Sequence, residues 1–203
     1  FAALSRRIDK RKDSSVPTAG VRVNPDNGYF ELFYNPEFFA KLTSKQASGV
    51  LIHEFYHLVF EHVTGRLPDE LAGAMQSPTQ EQVGLFKLWN IAADLSINTL
   101  IGKDCLPENC CYPGEGMFEG MESGKSAEWY YSALKQKMEE QKNQPQGSGS
   151  SEGDPGDENQ PGGSQSGGQK FDPDAAGQFD DHGGWGEVDE VTKEIAKERL
   201  KEA

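Results

Sequence analysis

Thr43-Ser-Lys-Gln46-Ala-Ser-Gly-Val-Leu-Ile-His53-Glu54-Phe-Tyr-His57-Leu-Val-Phe60 reads as one long helix. Thr43 and Gln46 match a capping box, in which each side chain satisfies a backbone N–H that the first helical turn leaves open. From Ala47 to about Val63 there is no proline, and Gly65 supplies a stop. Val50, Leu51, Ile52, Phe55, Leu58, Val59 and Phe60 leave this helix almost no polar face, so it is expected to be buried.

Upstream, two β-prone runs, Val21–Asn24 and Tyr29–Tyr34, flank Pro25-Asp26-Asn27-Gly28 and predict a hairpin. Asn35-Pro36 then closes the second strand and starts a helical turn through Phe39. Downstream, Ser77-Pro78-Thr79-Gln80 repeats the helix-start signal, with Ser77 as cap and Pro78 at the first helical position. That helix runs to Ile101, where Gly102 ends it. A third begins near Ser126 and carries Trp129, Tyr130, Tyr131, Leu134 and Met138. The expected fold is α+β, mainly helical, with a small N-terminal hairpin or sheet.

Charge divides the chain. The formal net charge is −13, of which −9 falls in residues 143–203 and only −4 in the first 142. Within that tail, residues 143–170 hold eight Gly, five Ser, five Gln, three Pro and no hydrophobic side chain. Such a stretch cannot bury enough apolar surface to offset the entropy of ordering it, so it reads as a flexible linker. The expected organisation is a domain over 1–142, a linker over 143–170, and an island with the start of a truncated helix or domain over 171–203. Acidity argues against nucleic acid and anionic membrane surfaces as partners, since phosphate contacts need clustered Lys and Arg. No apolar run is long enough to span a bilayer. Cys105, Cys110 and Cys111 are odd in number and make no disulfide framework, and no signal-peptide core is seen, so a cytoplasmic setting is expected.

The buried helix carries His53-Glu54-x-x-His57. Four residues apart is slightly more than one helical turn, so both imidazoles leave the same face and can share one metal ion. Glu54 sits beside them, placed to take a proton from water activated by that metal. Without a metal, desolvating three polar groups between apolar flanks would cost several kcal/mol. His62 lies on another stripe and is read as a surface or helix-end residue. On the second helix, Asn90, Asp94 and Asn98 recur every four residues along one stripe, with Ala92 and Ala93 allowing close approach. A catalytic zinc needs a third protein ligand, and an anionic oxygen serves better than an amide. Asp94 is therefore the expected ligand. Two alternatives stand beside it: Asp94 orienting a ligand histidine, or Asn90 binding directly.

His53-Glu54-x-x-His57 behind the hairpin and Tyr34-Asn35-Pro36, followed by Trp89-Asn90-x-Ala92-Ala93-Asp94-x-x-Ile97-Asn98, resembles the bacterial and phage metallopeptidases that precede a von Willebrand factor A-like domain. The likeness covers roughly residues 18–135 and the island Asp180-Asp181-His182-x-x-Trp185. It implies a zincin-like fold, with the active-site helix packed on a second, ligand-bearing helix. The implied function is zinc-dependent hydrolysis of a peptide or protein substrate, beside a von Willebrand-like domain and a MoxR-type AAA+ ATPase. One departure is visible: many zincins show Glu-x-x-x-Asp on the second helix, where this chain has Asn90-x-x-x-Asp94. His182 is a candidate for stabilising the oxyanion of a tetrahedral intermediate. The plainer reading of the island is a linker-end turn with Trp185 docked on the core. Set against the peptidase is a catalytically silent, metal-stabilised interaction module.

Overall fold

A six-residue link built on Pro25-Asp26-Asn27-Gly28 folds the chain back on itself. Asn24 Oδ1 accepts from the Asp26 N–H at 2.8 Å, and Gly28 takes the positive φ of +67° that the bend requires. The strands it joins are β2 (Ala19–Val23) and β3 (Phe30–Tyr34), antiparallel with Val21 opposite Leu32. The computed structural model describes residues 2–71, 77–143, 171–175, 185 and 188–202. It adds a strand that patterning did not predict, β1 (Asp9–Lys12), pairing parallel with β3 to give the order β1-β3-β2. Asp9-Lys10-Arg11-Lys12 has no apolar residue and all four are exposed, as suits an edge strand guarded by charge.

The charge on β1 has a partner. Glu31, on central β3, is fully buried and is bound by Arg11 at 2.8 Å, Arg22 at 3.0 Å and Asn24 at 2.8 Å. Burial alone would raise its pKa, but the hydrogen bonds from Asn24 and Arg22 and the two guanidinium charges outweigh it and hold the carboxyl below its ordinary range. One acid thus pins both outer strands.

Helices follow the sheet: α1 (Ala2–Arg6) precedes it, and α2 (Pro36–Phe39), α3 (Ser44–Val59), α4 (Gln80–Asn98), α5 (Ala127–Asn143) and α6 (Glu190–Lys201) come after. The fold is α+β, with a small three-stranded sheet and six helices among the described residues. Thr43 caps α3 in the expected box with Gln46. The start of α4 differs: Thr79, not Ser77, is the cap, with Gln82 as its reciprocal partner. The box needs a free backbone N–H at the cap, which Thr79 has, so Pro78 stands before the helix and not inside it. At the other end, α4 stops at Asn98, short of Ile101.

The layers run from β2 to α3, from α3 to α4 and from α4 to α5, with α6 returning to β2. Leu58, Trp89, Ile91, Leu95, Tyr130 and Leu134 fill one apolar core. Ala92 and Ala93 of α4, both fully buried, belong to it as well. Phe171, Trp185, Val188 and Ala196, from beyond the expected linker, join the same core. Of the expected 143–170 linker, only Asn143, the last residue of α5, is among the described residues. No described helix is long and apolar enough to cross a membrane.

Gly49 sets how closely α3 meets the turn at Lys103–Cys105. A Cβ there would lie 1.8 Å from the Cys105 carbonyl oxygen, which is backbone and cannot swing aside. Helix propensity favours alanine over glycine by roughly 1 kcal/mol, whereas overpacking costs about 1–3 kcal/mol or more. Sterics should win. Gly49→Ala is expected to destabilise the protein in urea denaturation, and a gain in stability would contradict this packing.

Candidate metal centre

Both histidines of α3 point at α4. His53 Nε2 and His57 Nε2 lie 3.0 Å apart. Asp94 Oδ1, from the facing turn of α4, is 3.5 Å from the first and 3.4 Å from the second. These three side chains are the one group of three or more His, Cys, Asp or Glu among the described residues that could hold a metal ion. All are enclosed: both histidines are 0 % exposed and Asp94 is 1 %. Glu54, next to His53 on the same turn, is 0 % exposed as well.

The donor set fits a tetrahedral ion. Nitrogen and oxygen ligands bind zinc at about 2.0–2.2 Å, and the edges of a tetrahedron of that size are roughly 3.3–3.5 Å long. Two of the three observed separations fall in that range and the third is slightly shorter. Two imidazoles and a carboxylate are also ligand types that zinc accepts.

The far side of each imidazole decides which nitrogen is available. His53 Nδ1 is 2.9 Å from Asn98 Oδ1. Asn98 Nδ2 donates to the Cys111 carbonyl at 3.0 Å, which fixes the amide so that its oxygen faces His53. An amide oxygen only accepts, so His53 carries its proton on Nδ1 and turns the Nε2 lone pair toward Asp94 and His57. On the other ring, His57 Nδ1 meets His62 Nδ1 at 3.1 Å.

The structure brings His53, His57 and Asp94 together. Asn98, seen in the sequence only as part of a polar stripe, proves to be the partner of His53. Asn90, one turn before Asp94, is only half-buried. His62 is a helix-end residue as read, but it is 1 % exposed, so the surface half of that reading is corrected. Its burial could not be read from stripe position, because it lies past the end of α3, where helical periodicity no longer applies. Asp181 and His182 lie outside the described residues. Trp185 is described and buried. Its indole N–H donates to the Val21 carbonyl at 2.8 Å, and its ring centroid stands 4.8 Å from that of His57. Val21 belongs to a non-hydrogen-bonded pair of edge strand β2, so its carbonyl faces away from β3 and is open to the indole.

The three cysteines form no disulfide with one another. Cys105 and Cys110 instead pack with Ile97, Ile101, Leu106 and Tyr112, beside the metal centre's helices.

Residues 1–202 match the model of a protein family described as a putative metallopeptidase domain. No curated protein and no solved structure matches the chain.

Trp185 carries a stability prediction. Truncating a buried tryptophan removes its apolar contacts and leaves a void, at roughly 3–5 kcal/mol. Trp185→Ala should lower the unfolding free energy by that order, read from chemical denaturation. A change below about 0.5 kcal/mol, the size of a surface effect, would mean that Trp185 does not dock beside His57.

Proposed function

Because the chain belongs to the putative metallopeptidase domain family, we propose that it is a zinc-dependent peptidase of zincin-like fold. His53, His57 and Asp94 are its metal ligands and Glu54 is its general base. The observation that carries this reading is the convergence of two imidazole nitrogens and one carboxylate oxygen within 3.5 Å inside the core. Three protein ligands leave the fourth position of a tetrahedral site open, as catalytic zinc requires.

Zinc held there would supply Lewis acidity, polarising a carbonyl and bringing the ionisation of water near neutral pH. The remaining chemistry belongs to the chain. The Glu54 carboxylate takes a proton from the attacking water and delivers it to the leaving amine nitrogen as the C–N bond breaks. Asn98 keeps the His53 proton on Nδ1, which leaves Nε2 free to bind. The enclosing apolar walls of α3 and α4 strengthen every charge interaction within the site. His182 stabilising the oxyanion, a peptide or protein substrate, a cytoplasmic setting, and work beside a von Willebrand-like domain and an AAA+ ATPase complete the proposal. These parts rest on the sequence resemblance and composition.

One observation favours a second reading. His53, Glu54 and His57 are 0 % exposed and Trp185 stands against His57, so these side chains are closed to solvent in this conformation. A metal-stabilised module that recruits partners and cleaves nothing would be built this way.

Metal analysis joined to cleavage separates the two. The full chain and Glu54→Gln are loaded with zinc, and each is incubated with casein and a peptide library. The peptidase reading expects equal zinc content in both and a loss of cleavage of about 10²–10⁴-fold in Glu54→Gln, the usual worth of a general base. Equal cleavage by both proteins would remove Glu54 from the chemistry. Zinc in both with cleavage by neither would establish the silent module.

A further inference from the structure

Helix α3 ends in a way that its sequence does not favour. Its C-cap is Phe60, and the next residue, Glu61, adopts φ +57°. The Glu61 N–H donates to the Leu58 carbonyl at 3.0 Å and the His62 N–H to the His57 carbonyl at 2.9 Å. These two bonds define a Schellman motif, whose left-handed position is usually glycine. A glutamate there is strained by its Cβ. The strained link has one structural product: it turns the chain back over the last helical turn and brings His62 Nδ1 to 3.1 Å from His57 Nδ1.

His62 is then held from several sides. Its ring centroid lies 5.9 Å from that of Trp89, nearly perpendicular to it, and 6.4 Å from that of Trp185. It reaches the face of His57 that points away from Asp94, so it is not itself one of the converging donors. It occupies toward His57 the place that Asn98 occupies toward His53.

We propose that His62 is a positioning residue for the metal centre: its Nδ1 accepts the Nδ1 proton of His57 and thereby keeps the His57 Nε2 lone pair directed at the ion. This rests on the metal reading above and deepens it. A nitrogen that carries a proton cannot ligate, so His57 binds only when its proton sits on Nδ1, and an acceptor at that position favours this tautomer. The result is a pair of matched supports. One is an amide from α4 for the first ligand, and the other is an imidazole from the end of α3 for the second.

The test uses the full chain and zinc in competition with a chromophoric chelator. His62→Phe keeps an aromatic ring between Trp89 and Trp185 but offers no acceptor. It should weaken zinc binding about 10–100-fold, the usual effect of removing a ligand's outer partner. His62→Asn places an amide oxygen close to the lost Nδ1 and should recover a large part of the affinity. Nitrogen-15 NMR of zinc-loaded wild type supplies a readout that needs no variant and should show His57 protonated at Nδ1. Wild-type affinity in His62→Phe, equal losses in both variants, or a His57 without an Nδ1 proton would each overturn the proposal. Failure of the wild type itself to bind zinc would instead fell the metal reading, and this inference with it.

Discussion

Four polar side chains, His53, Glu54, His57 and Asp94, sit almost wholly out of water between two helices, and the rest of the molecule is arranged around that constraint. Burying an acid or an imidazole without compensation costs several kcal/mol, comparable to the whole stability of a small domain. A divalent cation would turn that liability into a binding site, because the lone pairs that repel one another would acquire a common partner. A metal bound at the α3–α4 interface would therefore join folding to metal binding, its binding free energy adding to folding stability.

Other features support this interface. Gly49 lets the Lys103–Cys105 turn press against α3, which fixes the helix from its outer side. Glu31 clamps the sheet beneath α3 by binding Arg11 and Arg22 from the two neighbouring strands. Trp185 closes the end nearest His57 by bonding to an otherwise open edge carbonyl of β2. Each of these residues limits how far the three donors can drift. That matters because misplacing a ligand by 1 Å is enough to degrade a metal site.

Much of this was legible from residue order alone. The spacing of His53 and His57 and the stripe through Asp94 depend only on helical periodicity, which is local and strong, so the candidate trio is visible in the sequence, while the choice of Asp94 over Asn90 is not. The hairpin was legible for the same reason, since Pro-Asp-Asn-Gly constrains its own backbone. What escaped depended on tertiary context. The strand at Asp9–Lys12 is stabilised by pairing and by Glu31, not by an apolar face, so its pattern is silent. His62 is placed by a left-handed Glu61, and a glutamate carries no signal for that conformation. Gly49 did carry a signal, a glycine inside an otherwise strong helix, but only the approach of Cys105 explains it.

Whether His53, His57 and Asp94 share one metal ion is decided by X-ray absorption at the zinc edge of the loaded full chain. The account predicts one zinc per chain, bound by two imidazole nitrogens and carboxylate or water oxygens at about 2.0–2.2 Å, with no sulfur. A shell of sulfur near 2.3 Å would move the site to the cysteines around Tyr112. That result, or a chain that retains no zinc, would contradict the account.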